Sequence, residues 1–573
     1  MALLTGTLPY TPVGDVLGDV AITANATHYG DTGTPKKFSI CNVGDTFDKN
    51  AFFENNTGST LYIRYDDYSY ANDDVAANDD YHFYVKSKLV SKSGSTWYFT
   101  TDLRSDTSIT TQPSVRTLIP YDDGKAQTVI KSGAYASGGQ TVYYGISSSR
   151  SVQPYVWYSD ISNSNLKVTD KGEYFLWVKA DGNDNYKPLS PTVQATVTVT
   201  DNEGIFEGTY FGNSDGTQSN PFIISNTENW NFLCEALNYN DIFNRFSGKY
   251  FKLNNNITVS TMAGSSNHDF CGNFDGNNKT ITFNGGTVSI DGAALFSYIS
   301  NVDDVSVTIK NLNVVNNITS SANHTSGLVG RFWGELNIEN CTVSGTINTS
   351  NKYACGFIGG ENGTANITNC VSSITVNSSI SGDGTHGGFI GRTMKNTNCY
   401  IEGCIFNGKI LTTNGTDRCS GFVGWHGGST LEIKDSLYAP ATLASGETWA
   451  LSDNSATFAR NGGTFTNCYY MSDFNDGTNF TAQGKQARSI TKGDYVTQLN
   501  FSGTATAYNK SNITKYSNNS GIKYNDTFYA GSGDTVNLTL SHSNKTGYTF
   551  KNYTASAGTL NGTTLTMPNS NMA

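Results

Sequence analysis

The sequence predicts an all-β chain: a right-handed parallel β-helix, or solenoid, flanked by small β-sandwich and β-rich modules. Three observations carry this. A tetrapeptide of Gly, two apolar residues and Gly recurs as Gly327-Leu328-Val329-Gly330, Gly356-Phe357-Ile358-Gly359, Gly388-Phe389-Ile390-Gly391 and Gly421-Phe422-Val423-Gly424, at spacings of 29, 32 and 33 residues. Each is followed by a second run closing on a polar residue and then Cys or Ser, as in Ile338-Glu339-Asn340-Cys341, Ile367-Thr368-Asn369-Cys370, Ile401-Glu402-Gly403-Cys404, Ile433-Lys434-Asp435-Ser436 and Phe465-Thr466-Asn467-Cys468. The chain also holds 59 glycines, 33 tyrosines and 30 phenylalanines with only 15% charged residues. Its aromatic and β-branched residues sit in short runs bounded by turn formers, which is how strands read.

Fixed-period self-similarity points to stacked coils, because a single repeat cannot bury its own apolar face. Equivalent residues then lie about 4.8 Å apart in neighbouring coils, so Cys341, Cys370 and Cys404 are expected as an interior ladder beside Asn340 and Asn369. The paired glycines are expected to supply φ > 0 or close backbone approach at coil corners. No βαβ context accompanies them, so they are not a nucleotide fingerprint.

These residues resemble the GLUG-type repeats of bacterial surface proteins, known also from the noncatalytic part of some immunoglobulin A peptidases, over about 290–470. That resemblance implies a surface location and brings no active site.

Along the chain, residues 1–120 read as a β-rich domain, with strands at Thr60–Tyr65 and Tyr81–Val85. Residues 121–203 read as an immunoglobulin-like sandwich: Thr141–Tyr144, Tyr174–Val178 and Thr192–Val199 alternate, and Asp170-Lys171-Gly172-Glu173-Tyr174 has the spacing of a tyrosine corner. A linker at Asp201–Gly204 leads into the solenoid, placed at 204–475, which a short helix at Thr227–Leu237 caps against end-to-end association. Residues 476–573 read as a polar, irregular linker to about 525, then a small module with runs at Asp534–Leu540, Gly547–Tyr553 and Thr563–Pro568. This resembles the B-repeat modules of internalin-type surface proteins, which continue one strand further. A leader and any wall anchor are therefore expected outside this sequence.

A net charge of −11 without a dense basic stretch argues against nucleic acid. No apolar run reaches the roughly 20 residues of a membrane span, so membrane or cell-wall attachment is expected only through parts outside this sequence. Nine of the ten cysteines lie between Cys234 and Cys468 without any CxxC, and they read as small buried hydrophobes. Asp66, Asp67, Asp73, Asp74, Asp79 and Asp80 can offer oxygen ligands to Ca²⁺, but their spacing is not that of an EF-hand and a solvated acidic turn is the preferred reading. No cofactor is expected, Ca²⁺ there being the one alternative.

Catalysis finds little support. The carboxylates between Gly327 and Cys468 (Glu335, Glu339, Glu361, Asp383, Glu402, Asp417, Glu432, Asp435, Glu447 and Asp453) are scattered and read as solvated, with Glu339 and Glu402 at matching repeat positions. His324, His386 and His426 flank the tetrapeptides and read as turn residues. What remains is binding: Phe332, Trp333, Tyr353, Tyr400, Phe406 and Trp425 are the candidate ligand-contacting aromatics. The expectation is a nonenzymatic, extracellular bacterial surface adhesin or scaffold, an elongated monomer that meets host or environmental glycans or proteins. The alternatives are a carbohydrate-active β-helix enzyme, a polysaccharide lyase or glycosidase, and a phage or appendage fibre component.

Overall fold

The computed structural model describes residues 105–573 apart from 184–185, 240–242, 302–304, 381, 415–417, 429, 451–454 and 472–480, and the backbone of six strands before residue 105. It is all-β, 47% strand and 6% helix. The chain divides into two compact units, Met1–Thr200 and Asp201–Ala573.

In the first unit, the strands Thr23–Ala24, Thr5–Pro9, Thr96–Thr100, His82–Ser93, Thr60–Asp66 and Phe38–Cys41 form one antiparallel sheet in that order. The carboxylates of the acidic run from Asp66 to Asp80 lie outside the described residues. Farther on, Val142–Ser147, Gly172–Ala180 and Leu189–Thr200 pair antiparallel, and Leu118–Pro120 adds to the last of them in parallel. Their alternate residues Leu176, Val178, Val197 and Val199 bury a core with Ile119. Tyr174 donates from its hydroxyl to the Asp170 carbonyl at 3.0 Å, closing the corner that the spacing suggested. Ile109–Thr111, Ser114–Val115 and Leu118–Pro120 all pair with strands after residue 121, and Ile109, Val115 and Ile119 pack into the same core.

The second unit is built on a parallel β-solenoid of about seven turns. Two long sheets run its length, and every pairing within them is parallel. Glu203–Phe211 and Thr227–Ala236 are helices that cover the start of the stack. The first was missed, since Asp201–Gly204 reads as linker. The second begins on Asn226, whose side chain accepts from the Asn229 N–H as a helix cap. It lays fully buried Trp230 against Phe274 and Phe296, closing the apolar end of the coils. At the far end, Lys485–Gln486 still pairs in parallel with Tyr469–Tyr470, so the stack extends beyond residue 475.

Within the stack each sequence position becomes a column. Phe357, Phe389, Phe422 and Phe458 follow one another with ring centroids 4.9, 4.8 and 4.9 Å apart, which is the coil spacing itself. Cys341, Cys370 and Cys404 form the expected ladder: the Cys341 and Cys370 N–H groups each point at the next sulfur at 3.4 Å, and Ser436 takes the next place. Burial pushes the Cys341 and Cys370 thiols well above their ordinary range and that of Cys468 up to about 12, so these are inert hydrophobes. The nine described cysteines are all buried, and none of them forms a disulfide.

Beside the cysteines runs a ladder of left-handed corners at Asn311, Asn340, Asn369, Gly403, Asp435 and Asn467. Asn tolerates this backbone because its short amide bonds locally. Here each amide also bonds the coil before it: Asn340 Nδ2 to Asn311 Oδ1 at 3.2 Å, Asn369 Nδ2 to Asn340 Oδ1 at 2.6 Å, and Asn467 Nδ2 to Asp435 Oδ1 at 2.7 Å. Gly403 breaks the row.

The break is occupied. The described residues up to about 525 do not form the irregular linker expected there: Arg488–Ile490, Thr527–Ala530, Ile522–Tyr524, Ile513–Tyr516 and Ala505–Tyr508 make one antiparallel sheet, and Val496–Phe501, Thr535–His542, Thr564–Thr566 and Thr559–Asn561 another. The expected strand at Gly547–Tyr553 does not form. The Ala505–Tyr516 hairpin folds back on the corner ladder and seats the Tyr508 ring over Gly403, where a Cβ would lie 2.2 Å from Tyr508 Cδ1. The Tyr508 hydroxyl reaches the Glu402 carboxylate and lies 3.4 Å from Asp435 Oδ2. Asn369 Oδ1, left without an amide above it, accepts from Lys510 N–H at 2.9 Å and Ser511 N–H at 3.2 Å. Lys515 pairs with nearly buried Asp435 at 2.7 Å.

One inward column breaks the apolar rule: Phe332, Glu361, Thr393 and His426 stand in register. Glu361 is fully buried, and neither of its carboxyl oxygens has a hydrogen-bond partner. Burial pushes its carboxyl well above the usual range, so it is not the solvated acid its isolation suggested. His386 and His426 are likewise core residues rather than turn residues. His386 accepts from the Ala354 N–H at 3.1 Å, and His426 faces Thr393 Oγ1 at 3.0 Å with its pKa lowered by burial.

Two outcomes are expected. Gly403→Asn suits the left-handed corner but collides with Tyr508, so hydrogen exchange across 505–524 should speed up, with about 1–3 kcal/mol lost from docking, while the strand Asn398–Glu402 stays protected. Unchanged exchange would mean that the hairpin is held elsewhere. For Glu361, the unfolded chain ionises above about pH 4.3 while the folded chain does not, so stability falls by about 1.4 kcal/mol per pH unit until the folded pKa is reached. Unfolding of Glu361→Gln from about pH 4 to about pH 8 should therefore show an advantage over the parent that grows with pH, whereas parallel curves would place this carboxyl in water.

Candidate functional site

The glycine tetrapeptides position the site. Their glycines have no left-handed backbone, so close approach is the reason for them, not φ > 0. A Cβ on Gly359 would lie 2.1 Å from the His324 carbonyl oxygen, one on Gly391 2.2 Å from that of Tyr353, and one on Gly424 2.1 Å from that of Thr385. The bare glycine of each coil thus lets the corner of the preceding coil close down on the strand. Those corners, His324, Tyr353 and Thr385, are all left-handed.

The residue after each tetrapeptide forms an outward column in register: Arg331, Gly360, Arg392 and Trp425, beginning at Tyr298. Corner and column side chains stack on each other. The Arg331 guanidinium lies over the Trp333 ring at 5.4 Å, and Tyr298 stacks on the same indole at 5.7 Å. His324 stacks on Tyr353 at 4.9 Å, and Arg392 lies over Tyr353 at 5.3 Å. Arg460 lies over Trp425 at 5.2 Å. Two carboxylates tie down part of the charge. Asp291 pairs with Arg331 and His324, both at 2.8 Å, and Arg460 pairs with Asp383 at 2.8 Å. Burial works against the charge on Asp291, but His324 and Arg331 hold its carboxyl below the usual range.

Of the six candidate aromatics, the structure gathers three here: Trp333, 36% exposed, with half-buried Tyr353 and Trp425. Tyr400 is 38% exposed but stands in a separate outer column, aligned with Asn366 and Glu432. Phe332 and Phe406 are not ligand contacts. Phe332 is 1% exposed because it alternates with outward Arg331 and Trp333, and Phe406 is fully buried over Tyr438. The sequence reading missed Arg331, Arg392 and Arg460. The signal for the first two was their place directly after the second glycine. His324 was noted only as a turn residue.

Planar cations stacked on aromatic rings give a face that can hold flat apolar rings and anions. Among the described residues no group of three or more His, Cys, Asp or Glu is placed to hold a metal ion. Glu339 and Glu402 are two coils apart with Thr368 between them. Asp417 and Asp453 lie outside the described residues.

No family model matches the chain, and no curated protein matches it. Among solved structures, the chain is similar to the crystal structure of "a putative immunoglobulin A1 protease from Bacteroides ovatus", at 19% identity over 50% of this chain and 84% of that one, with a TM-score of 0.34. At that score the likeness carries no argument about fold or activity.

Proposed function

We propose that this chain is a nonenzymatic bacterial surface protein, an adhesin or rigid scaffold that works outside the cell and recognises a glycan or a surface protein through the outer face of its solenoid. The single observation behind this reading is the gathering of Trp333, Tyr353 and Trp425, each stacked with a guanidinium, on one face of a regular parallel stack. Aromatic rings held by packing lose little entropy on contact with a ligand, and flat faces on a stiff scaffold suit sugar rings and protein side chains alike. The composition and the GLUG-type resemblance of the tetrapeptides support the location. A noncatalytic role is supported by the use of two carboxylates of the later coils: Glu402 and Asp435 hold Tyr508 and Lys515 of the C-terminal hairpin.

The test is a glycan and mucin-component array probed with the intact chain and with a Trp333→Ala/Trp425→Ala variant. Selective binding that drops at least about tenfold in the variant is expected, equivalent to about 1.4 kcal/mol. A blank array, or binding the variant retains, would overturn recognition through this face.

A further inference from the structure

We propose that the ligand of this face is an acidic oligosaccharide about three sugar units long, and that Arg392 is the residue that selects its carboxylate or sulfate. This rests on the reading that the face binds glycans, and it adds the ligand's charge, length and register.

The length comes from the columns. Trp425 of the strand Val423–His426 stands in register with Arg331 three coils earlier, by way of Arg392 and Gly360, and Trp333 lies two residues beyond Arg331 on Val329–Glu339. Three coil steps at about 4.8 Å put the two indoles about 14 Å apart along the stack. Each faces outward with a guanidinium on it. Pyranose rings offer flat C–H faces to both, which acidic peptide side chains do not.

The charge comes from an imbalance between three arginines. Arg331 is neutralised by Asp291 and Arg460 by Asp383. Arg392, between the two indoles, has no carboxylate and no hydrogen-bond partner among the described residues. Its Nε is buried and unpaired, and its plane lies over the Tyr353 ring. A desolvated guanidinium nitrogen without an acceptor is costly, and a bidentate carboxylate or sulfate repairs it. The coil next to it has Gly360 in register, which places no side chain beside Arg392. His324, stacked on the same Tyr353 ring, also has its Nε2 buried without a partner, a second unmet polar atom in the same stack. In a chain of net charge −11, an uncompensated cation between the coils of two tryptophans favours an anion at this point of the face.

The experiment uses the full chain, its Arg392→Gln variant and the Trp333→Ala/Trp425→Ala variant. Probes are sialylated, uronate-containing and sulfated trisaccharides, each with its neutral counterpart, and poly-glutamate as competitor. Acidic probes are expected to bind the parent at least roughly tenfold more tightly than neutral ones, and the preference should shrink between about 50 and about 300 mM salt. Arg392→Gln should abolish the preference for acidic probes, and the tryptophan variant should lose binding of acidic and neutral probes alike. Comparing the sulfated with the carboxylated arm identifies the anion. Equal binding of acidic and neutral probes, or an unchanged preference in Arg392→Gln, overturns the proposal and leaves tryptophan-dependent glycan binding standing. Equal competition by poly-glutamate overturns the glycan assignment in favour of an acidic peptide. Absence of all binding overturns both readings. If Arg392→Gln fails to fold, the acidic-to-neutral ratio of the parent still decides.

Discussion

The constraint on which everything else rests is the spacing of about 4.8 Å between hydrogen-bonded parallel strands. Once coils stack at that distance, each position is repeated directly above itself, and a side chain is admissible only if it tolerates its own kind as a neighbour. Phenylalanine does so by face-to-face rings, asparagine by handing its amide to the next carbonyl, cysteine by its small bulk. Like charges do not, and charged groups in a column alternate with Gly, Trp or Thr, as at Arg331, Gly360, Arg392 and Trp425, or with the opposite sign, as at Asp275, Lys310 and Glu339. Buried Glu361 meets the rule in another way, because its burial favours the neutral acid.

The same rule explains why the outer face is half rigid and half available. The tetrapeptide glycines exist for the backbone, drawing each left-handed corner down onto the strand below its side chains. As a consequence the corner residues His324 and Tyr353 lie beside the residues that follow the glycines, and stacks form between them. A motif that reads as purely structural thereby sets the geometry of the candidate site.

How much of this was legible followed the physics. Periodicity exposed the solenoid and the cysteine ladder, because these depend on residues near in repeat phase. The same periodicity, carried one step further, separates Phe332 from Trp333 and Glu361 from the surface acids, since alternate residues of one strand face opposite ways. What the sequence could not disclose were partnerships between distant segments. Nothing near residue 508 announces a seat at Gly403, and Arg460 becomes part of the site only when its coil stacks over Trp425. The polar composition of 476–525 suggested a linker because its short strands bury much of their surface against the ladder rather than against each other.

The seat of the C-terminal hairpin is marked by a side chain that is missing. Tyr508 reads the gap at Gly403, and its neighbours read Asn369, Asp435 and Asn467, all in the last coils of the stack. No part of that address depends on how many coils come earlier. The solenoid is therefore extensible from one side only: coils duplicated ahead of Asn340 would lengthen the rod and multiply its outer face, whereas a coil inserted after Asn369 would separate the acceptor from the gap and unseat the hairpin. Growth in this architecture has a direction, fixed by one glycine.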